Sequence, residues 1–221
     1  MPSISKRLST IADFVEKDAN VFDVGADHGL IEKYLIERSI TNKITAVENK
    51  IGPYNTLKNS LSEYSDVNVV LSDGVTSLNS YDTTLIIAGM GGKNIINILS
   101  KDLNKLNLIK NIIVDAHRDN YQIKKFLTIN GFKIKDEKIV FEDSIYYFVV
   151  LFEKGINTYN DLTLKYSLYI KNDHLYEGYL NKTITQLENK IDFLKASNED
   201  NSLEIEKLNN EIKELKLYEN N

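Results

Sequence analysis

Four short segments hold side chains whose types and spacing could do chemistry, and each closes an apolar run. The first is Val21-Phe-Asp-Val-Gly-Ala-Asp-His-Gly-Leu30, in which Asp23 ends a strand-like stretch and Gly25, Ala26, Asp27 and His28 turn into a helical pattern. In a Rossmann-like sheet such a turn receives a nucleotide. A dinucleotide loop needs G-x-G-x-x-G, because its second glycine lets the backbone approach a pyrophosphate. Here that position is Asp27. A carboxylate against a pyrophosphate in a low-dielectric crevice is repulsive by several kcal/mol, so NAD and FAD fit poorly.

The second segment is Ile44-Thr-Ala-Val-Glu48 followed by Asn49. Glu48 stands where an acidic strand end accepts hydrogen bonds from ribose hydroxyls, a role usually placed about 20 residues beyond the first strand. The third, Val70-Leu-Ser72-Asp73-Gly74, ends in a carboxylate suited to an adenine amino group and a glycine suited to a tight turn. The fourth is Leu85-Ile-Ile-Ala88-Gly89-Met90-Gly91-Gly92. A glycine loop of this kind exposes backbone beside a cofactor and leaves room for a flat base. S-adenosylmethionine has no phosphate and carries an ammonium and a sulfonium, so acidic residues in these loops suit it better than a dinucleotide.

The elements that must position these loops follow from periodicity. Helical spacing is read over Ile4–Glu16, with Ser3 or Ser5 as cap, then over Leu30–Ile40, Thr56–Tyr64, Asn94–Leu99 and Gln122–Asn130. Short apolar runs at Val21–Val24, Lys43–Val47, Val67–Leu71, Thr84–Ala88 and Ile112–Val114 read as buried strands. Strands alternating with helices imply a parallel doubly wound sheet. Phe132–Phe141 and Ile145–Phe152 flank Glu142-Asp143-Ser144 as a hairpin, which makes the sheet mixed. Leu180, Ile184, Leu187, Ile191, Leu194 and then Ile205, Leu208, Ile212, Leu215 repeat in heptad-like steps around a polar turn at Ala196–Asn201. The fold class expected is therefore α/β, a Rossmann-like domain over 1–155 and an antiparallel, coiled-coil-like helical hairpin over 156–221. The hairpin could serve structure and oligomerisation or touch a substrate.

Composition narrows the classes. The chain has 221 residues, no cysteine and three histidines, so thiolate chemistry and a histidine-rich metal site are excluded and a cytoplasmic address is expected. No apolar run is long enough to span a bilayer. The net charge is −5. Residues 1–150 are near neutral, with 18 Lys+Arg against 19 Asp+Glu, whereas the remainder holds 9 against 13. A basic face on the first part is compatible with this; an indiscriminate polyanion binder is not.

Taken together, Asp23-Val-Gly-Ala-Asp-His28, Ser5-Lys-Arg-Leu8 and Ile87-Ala-Gly-Met-Gly-Gly92 resemble the bacterial TrmK family of tRNA (adenine(22)-N1)-methyltransferases, over the whole chain. The resemblance implies an S-adenosylmethionine site lined by Asp23, Gly25, Ala26, His28, Glu48, Asn49, Ser72, Asp73, Gly74, Ala88, Gly89, Met90 and Gly91. It places Asp27 at the reacting centre and Lys6, Arg7, Gly92, Lys93 and Arg118 towards tRNA. One departure is Asp115-Ala-His-Arg118, where the family carries an amide- and proline-bearing segment; the roles of His117 and Arg118 stay open. Lys101, Lys105, Lys110, Lys124 and Lys125 would add a basic rim, and Tyr121, Tyr146 and Tyr147 would stack on bases or pack in the core. The alternatives are a methyltransferase for another RNA base, a small molecule or a protein, and a non-catalytic RNA-binding module. No metal is expected, and a monomer is preferred to a dimer.

Overall fold

A computed structural model describes residues 4–167, 170–197 and 200–219. The chain divides into two compact units, Met1–Tyr166 and Ser167–Asn221.

The first unit is built on seven strands: β1 (Asn20–Val24), β2 (Ile44–Glu48), β3 (Val67–Leu71), β4 (Thr83–Gly91), β5 (Ile109–Arg118), β6 (Phe132–Glu142) and β7 (Ile145–Lys154). They lie side by side in the order β3-β2-β1-β4-β5-β7-β6. β1 to β5 are mutually parallel, and β7 runs antiparallel between β5 and β6. The chain order reverses between β1 and β4, and ligands of open α/β sheets bind in the crevice at such a switch. The β6–β7 hairpin turns at Asp143 and Ser144, both at positive φ (50° and 63°), which matches the right-handed twist of the flanking strands.

Helices α1 (Lys6–Asp13), α2 (Leu30–Glu37), α3 (Ile51–Ser60), α4 (Gly92–Lys101), α5 (Asn120–Ile129) and α6 (Asp161–Tyr166) complete the unit. Ile11, Ala12, Ile31 and Leu35 from α1 and α2 meet Val21, Ile44, Ile86 and Ile113 on one sheet face. Alternate residues Leu85, Ile87, Ile112 and Val114 are buried too, so the central strands read as unbroken apolar runs, as parallel strands covered on both faces must.

Two expectations change, and two features are added. α3 begins at Ile51, not Thr56: Pro53 sits in the first helical turn, where its missing N–H would have had no partner. The Ala88–Gly91 stretch is not a free loop but the bulged end of β4, with Met90 paired to Ala116 and Gly91 to Arg118, because β5 extends to Arg118. The inward face of α2 is Ile31, Glu32 and Leu35, whereas Leu30 lies at the surface. α6 went unread from the sequence. Ser5 is the cap of α1, accepting from the Leu8 N–H; Ser3 lies outside the described residues.

In the second unit, α7 (Tyr176–Ala196) and α8 (Ser202–Glu219) pack together. Leu180, Ile184, Ile191, Leu208, Ile212 and Leu215 are buried, and Lys190–Glu204 and Lys216–Glu188 ion pairs of 2.8 and 3.1 Å flank the helices. The expected turn at Ala196–Asn201 falls partly outside the described residues.

Candidate active site

Strand register brings the predicted loops to one edge. Val24 is level with Val47 and Ile87, and Glu48 with Leu71, so the segments after β1, β2, β3 and β4 leave the sheet together. Two hollows open there, of about 160 and 320 Å³. The first is lined by Arg7, Leu8, Asp23, Ala26, Asp27, His28, Ala88 and Gly89, among others. The second is lined by Glu48, Asn49, Ser72, Asp73, Gly74 and Met90, with Asn94, Asn97, Ile98 and Lys101 from α4. Gly25 borders both, at φ +78°, and a methyl group added to it would collide with Cε of Met90. Met90 thus lies over Gly25 between the hollows, its sulfur accepting from Asn94 Nδ2 at 3.3 Å.

Asp27 is held by its backbone, not its carboxylate. It adopts a left-handed conformation (φ 51°), and its N–H donates to Oε1 of Glu48 at 2.9 Å. The Asp27 side chain is 76% exposed and 3.7 Å from His28 Nε2. One Glu48 oxygen therefore organises the loop and the other is free to face the groove. Asp73 pairs with Lys101 at 2.7 Å, and that ammonium holds its carboxyl below the usual carboxylate range.

Beneath the first hollow lies a group that sequence reasoning missed. Period-two alternation turns Asp23 to the same face as Val21, towards α2. Helical spacing turns Glu32 inward with Ile31 and Leu35. Both carboxyls are buried, Glu32 to 1% exposure, and neither oxygen of Glu32 has a hydrogen-bond partner. Burial raises Asp23 well above the ordinary range, and the charges of Glu32 and, less strongly, Glu48 push the same way. Burial likewise raises Glu32. The available signal was an acidic residue inside an apolar i, i+3 face.

The other wall centres on Arg7. Its Nη1 donates to Oδ2 of Asp115 at 2.6 Å, its backbone N–H donates to Oε2 of Glu142 at 3.1 Å, and its guanidinium lies 4.9 Å from the Tyr147 ring centroid. His117 Nε2 is 3.4 Å from the same nitrogen, and its ring meets Tyr147 edge-on. Asp115 is fully buried, which raises its carboxyl; Arg7 is the strongest opposing influence. Arg7 is therefore committed to the pocket wall.

The expected basic rim is largely absent. Lys110 is bound to Glu16, Lys105 donates to the Leu78 carbonyl, Lys124 is buried on Glu137, and Lys125 meets Tyr121 and Asp161. Each satisfies a local carboxylate or carbonyl. Tyr121 donates to Asp161, Tyr147 packs under Arg7, and Tyr146 lies tilted on Phe141. Lys6, Lys93 and Arg118 are exposed, Lys6 and Lys93 without an ion-pair partner among the described residues. Gly92 is buried against the Arg118 carbonyl and Asp119, where an added Cβ would approach to 2.8 Å, so it packs instead of facing a ligand. Among the described residues no cluster of three metal-ligating side chains occurs and no helix is long and apolar enough to cross a membrane.

A mostly parallel sheet in this order, with carboxylates at successive strand ends and Asp27 where a dinucleotide loop needs its second glycine, defines a Rossmann-like methyltransferase. The chain belongs to the methyltransferase-domain family, whose model matches residues 4–150. A Mycoplasma genitalium protein named as a candidate tRNA methyltransferase is 30% identical over 159 residues, 68% of this chain and 70% of that protein. The tRNA (adenine(22)-N(1))-methyltransferase of Bacillus subtilis is 29% identical over 156 residues, 69% of this chain and 66% of that one. A candidate tRNA (m1A22) methyltransferase of Streptococcus pneumoniae, solved in complex with S-adenosyl-L-methionine, superposes with a TM-score of 0.86 at 25% identity over 98% of this chain and 100% of that chain. The TrmK resemblance read from the loops is thus sustained beyond them.

Proposed function

We propose that this protein transfers a methyl group from S-adenosylmethionine to N1 of adenine 22 in tRNA. The observation carrying the site assignment is Asp27: an exposed carboxylate fixed at the rim of the first hollow by its own N–H bond to Glu48. The residues suit the cofactor. Asp23 and Glu32 offer buried negative charge to an ammonium, the free oxygen of Glu48 suits ribose hydroxyls, and Ser72, Asp73 and Asn49 line a polar hollow for adenine.

S-adenosylmethionine, when bound, supplies an electrophilic methyl on its sulfonium. The N1 lone pair of adenine lies in the ring plane and is consumed by Watson–Crick pairing, so the base must be unpaired or extruded at a cost of a few kcal/mol. No base is needed to create this nucleophile, and positioning by the pocket walls supplies much of the acceleration. Asp27 is the proposed catalytic residue: its carboxylate orients the adenine amino group and stabilises the positive charge that the ring acquires. Arg7, locked on Asp115, forms the wall beside the base, and Lys6, Lys93 and Arg118 meet phosphates. A transfer domain followed by a separate helical module, a monomeric state and a cytoplasmic setting belong to the same proposal.

Labelled methyl transfer to unmodified tRNA, located by mass spectrometry of the digest, tests it. Wild type should mark N1 of adenine 22. Asp27→Ala should lose about 100-fold to 10,000-fold in rate, the usual worth of a positioned acid–base group, while its cofactor affinity stays within a few-fold. Cofactor binding with no RNA mark would move the search to other RNA bases, small molecules or proteins.

A further inference from the structure

We propose that Glu32 is a positioning residue of the cofactor site: it shares one proton with Asp23, and the pair releases that proton to solvent when the cofactor's ammonium binds. The inference rests on the cofactor reading above and concerns a residue outside the loops that define the family resemblance.

An ionised carboxylate only accepts hydrogen bonds. Both Glu32 oxygens are sealed from solvent with no donor, and the neighbouring polar group is the Asp23 carboxyl, itself buried. Two ionised carboxylates so placed would leave buried charge unmatched and repelling. One shared proton resolves both problems, since the acid O–H donates to its partner and the pair holds a single negative charge. The surrounding charges do not replace that proton. Glu48 of β2 adds to the negative field on Asp23, and Asp27 stands in the same loop. Lys33 of α2 favours ionisation of Glu32 only weakly and donates instead to Ser60 at 2.7 Å. Arg7 lines the same hollow but is committed to Asp115. His28 lies at the outer edge, 62% exposed.

An ammonium seated in the first hollow would supply the missing cation to Asp23. The second ionisation then becomes favourable, and the balance is one bound cation for one released proton. The proton crosses from the dyad to water through the hollow that Asp23 lines.

Calorimetric titration of the full chain with S-adenosylmethionine, in buffers of differing ionisation enthalpy near neutral pH, reads this exchange directly. Wild type should release up to about one proton per cofactor, and its affinity should rise about tenfold between roughly pH 5.5 and 7. Glu32→Gln keeps the shape and gives Asp23 a permanent donor; it should bind with little proton release and a nearly flat profile. Asp23→Asn should also abolish release while weakening binding, which assigns the proton if Glu32→Gln fails to fold. Buffer-independent binding by wild type, or unchanged release by folded Glu32→Gln, overturns the inference and leaves the cofactor reading standing. No cofactor binding by wild type at all overturns both.

Discussion

Two pairs of ionisable side chains are buried in the sheet domain, and they are built on opposite logic. Lys124 of α5 donates to both oxygens of Glu137 on β6, at 2.7 and 3.0 Å, with its ammonium 5.7 Å from the Phe148 ring centroid. Opposite charges, a bidentate bond and an aromatic face compensate for lost solvation, although burial still lowers the lysine. Asp23 and Glu32 are both buried but alike in charge, and neither oxygen of Glu32 meets a donor. The first pair closes a structural account at the sheet's antiparallel end. The second sits under a binding hollow at the switch point, and only a proton or an incoming cation completes it. Burial alone therefore does not mark a functional group; incomplete pairing at a pocket does.

Breaking each pair should separate the two roles, and the largest effect belongs to the structural one. Lys124→Met removes the ammonium that both oxygens of buried Glu137 accept from and should cost about 3–5 kcal/mol in denaturant unfolding. Adding Glu137→Leu should restore most of that loss, because a buried carboxylate deprived of its ammonium, not the absent pair, is what destabilises. If Lys124→Met unfolds like wild type, the contrast between the pairs fails.

Glu32→Gln should change overall stability less, within about 1 kcal/mol, yet reshape its pH dependence. A carboxyl raised in the folded state binds more protons folded than unfolded, so its contribution is full below the unfolded value and declines as pH rises through the folded one. For Glu32 that window runs from the ordinary 4.5 to about 7. Cofactor-free wild type should thus lose stability between those values, and Glu32→Gln should lose less, as followed by thermal unfolding.

The smallest effect lies at the other end of the strands. Lys110 and Lys135 hold Glu16 down to about 2, so its contribution is present above 4.5 and fades as pH falls towards 2. Its side chain is more than a third exposed, and solvent screening limits the contribution to under about 1 kcal/mol. Glu16→Gln should flatten only the acid limb of the stability profile.

How much of this was legible in advance differs by kind of feature. Asp23, Glu48, Asp73 and the Ala88–Gly91 stretch were found from the sequence because strand ends and turn residues are set locally: an apolar run stops, a carboxylate or glycine follows. The α7–α8 seam was legible for the same reason, since a heptad repeat states which residues meet. The true start of α3 was hidden by Gly52-Pro53, which reads as a break unless it falls in a first turn. The lysines misled because composition counts charges and not partners. Lys124 looked like a surface cation beside Lys125, yet α5 buries one and exposes the other.

The sequence by itself determined the alternation of strands and helices, the acidic strand ends, the unsuitability of Asp27 for a pyrophosphate and the hairpin that ends the sheet. These depend on residue type and short-range spacing, which one chain displays in full. Only the tertiary structure decided that Arg7 faces Asp115 across 108 positions, that Glu48 fixes the Asp27 backbone, and that Glu32 lies against Asp23. Those depend on which element is laid against which, and that is settled by burying the shared apolar face, not by any local preference of the residues that end up in contact.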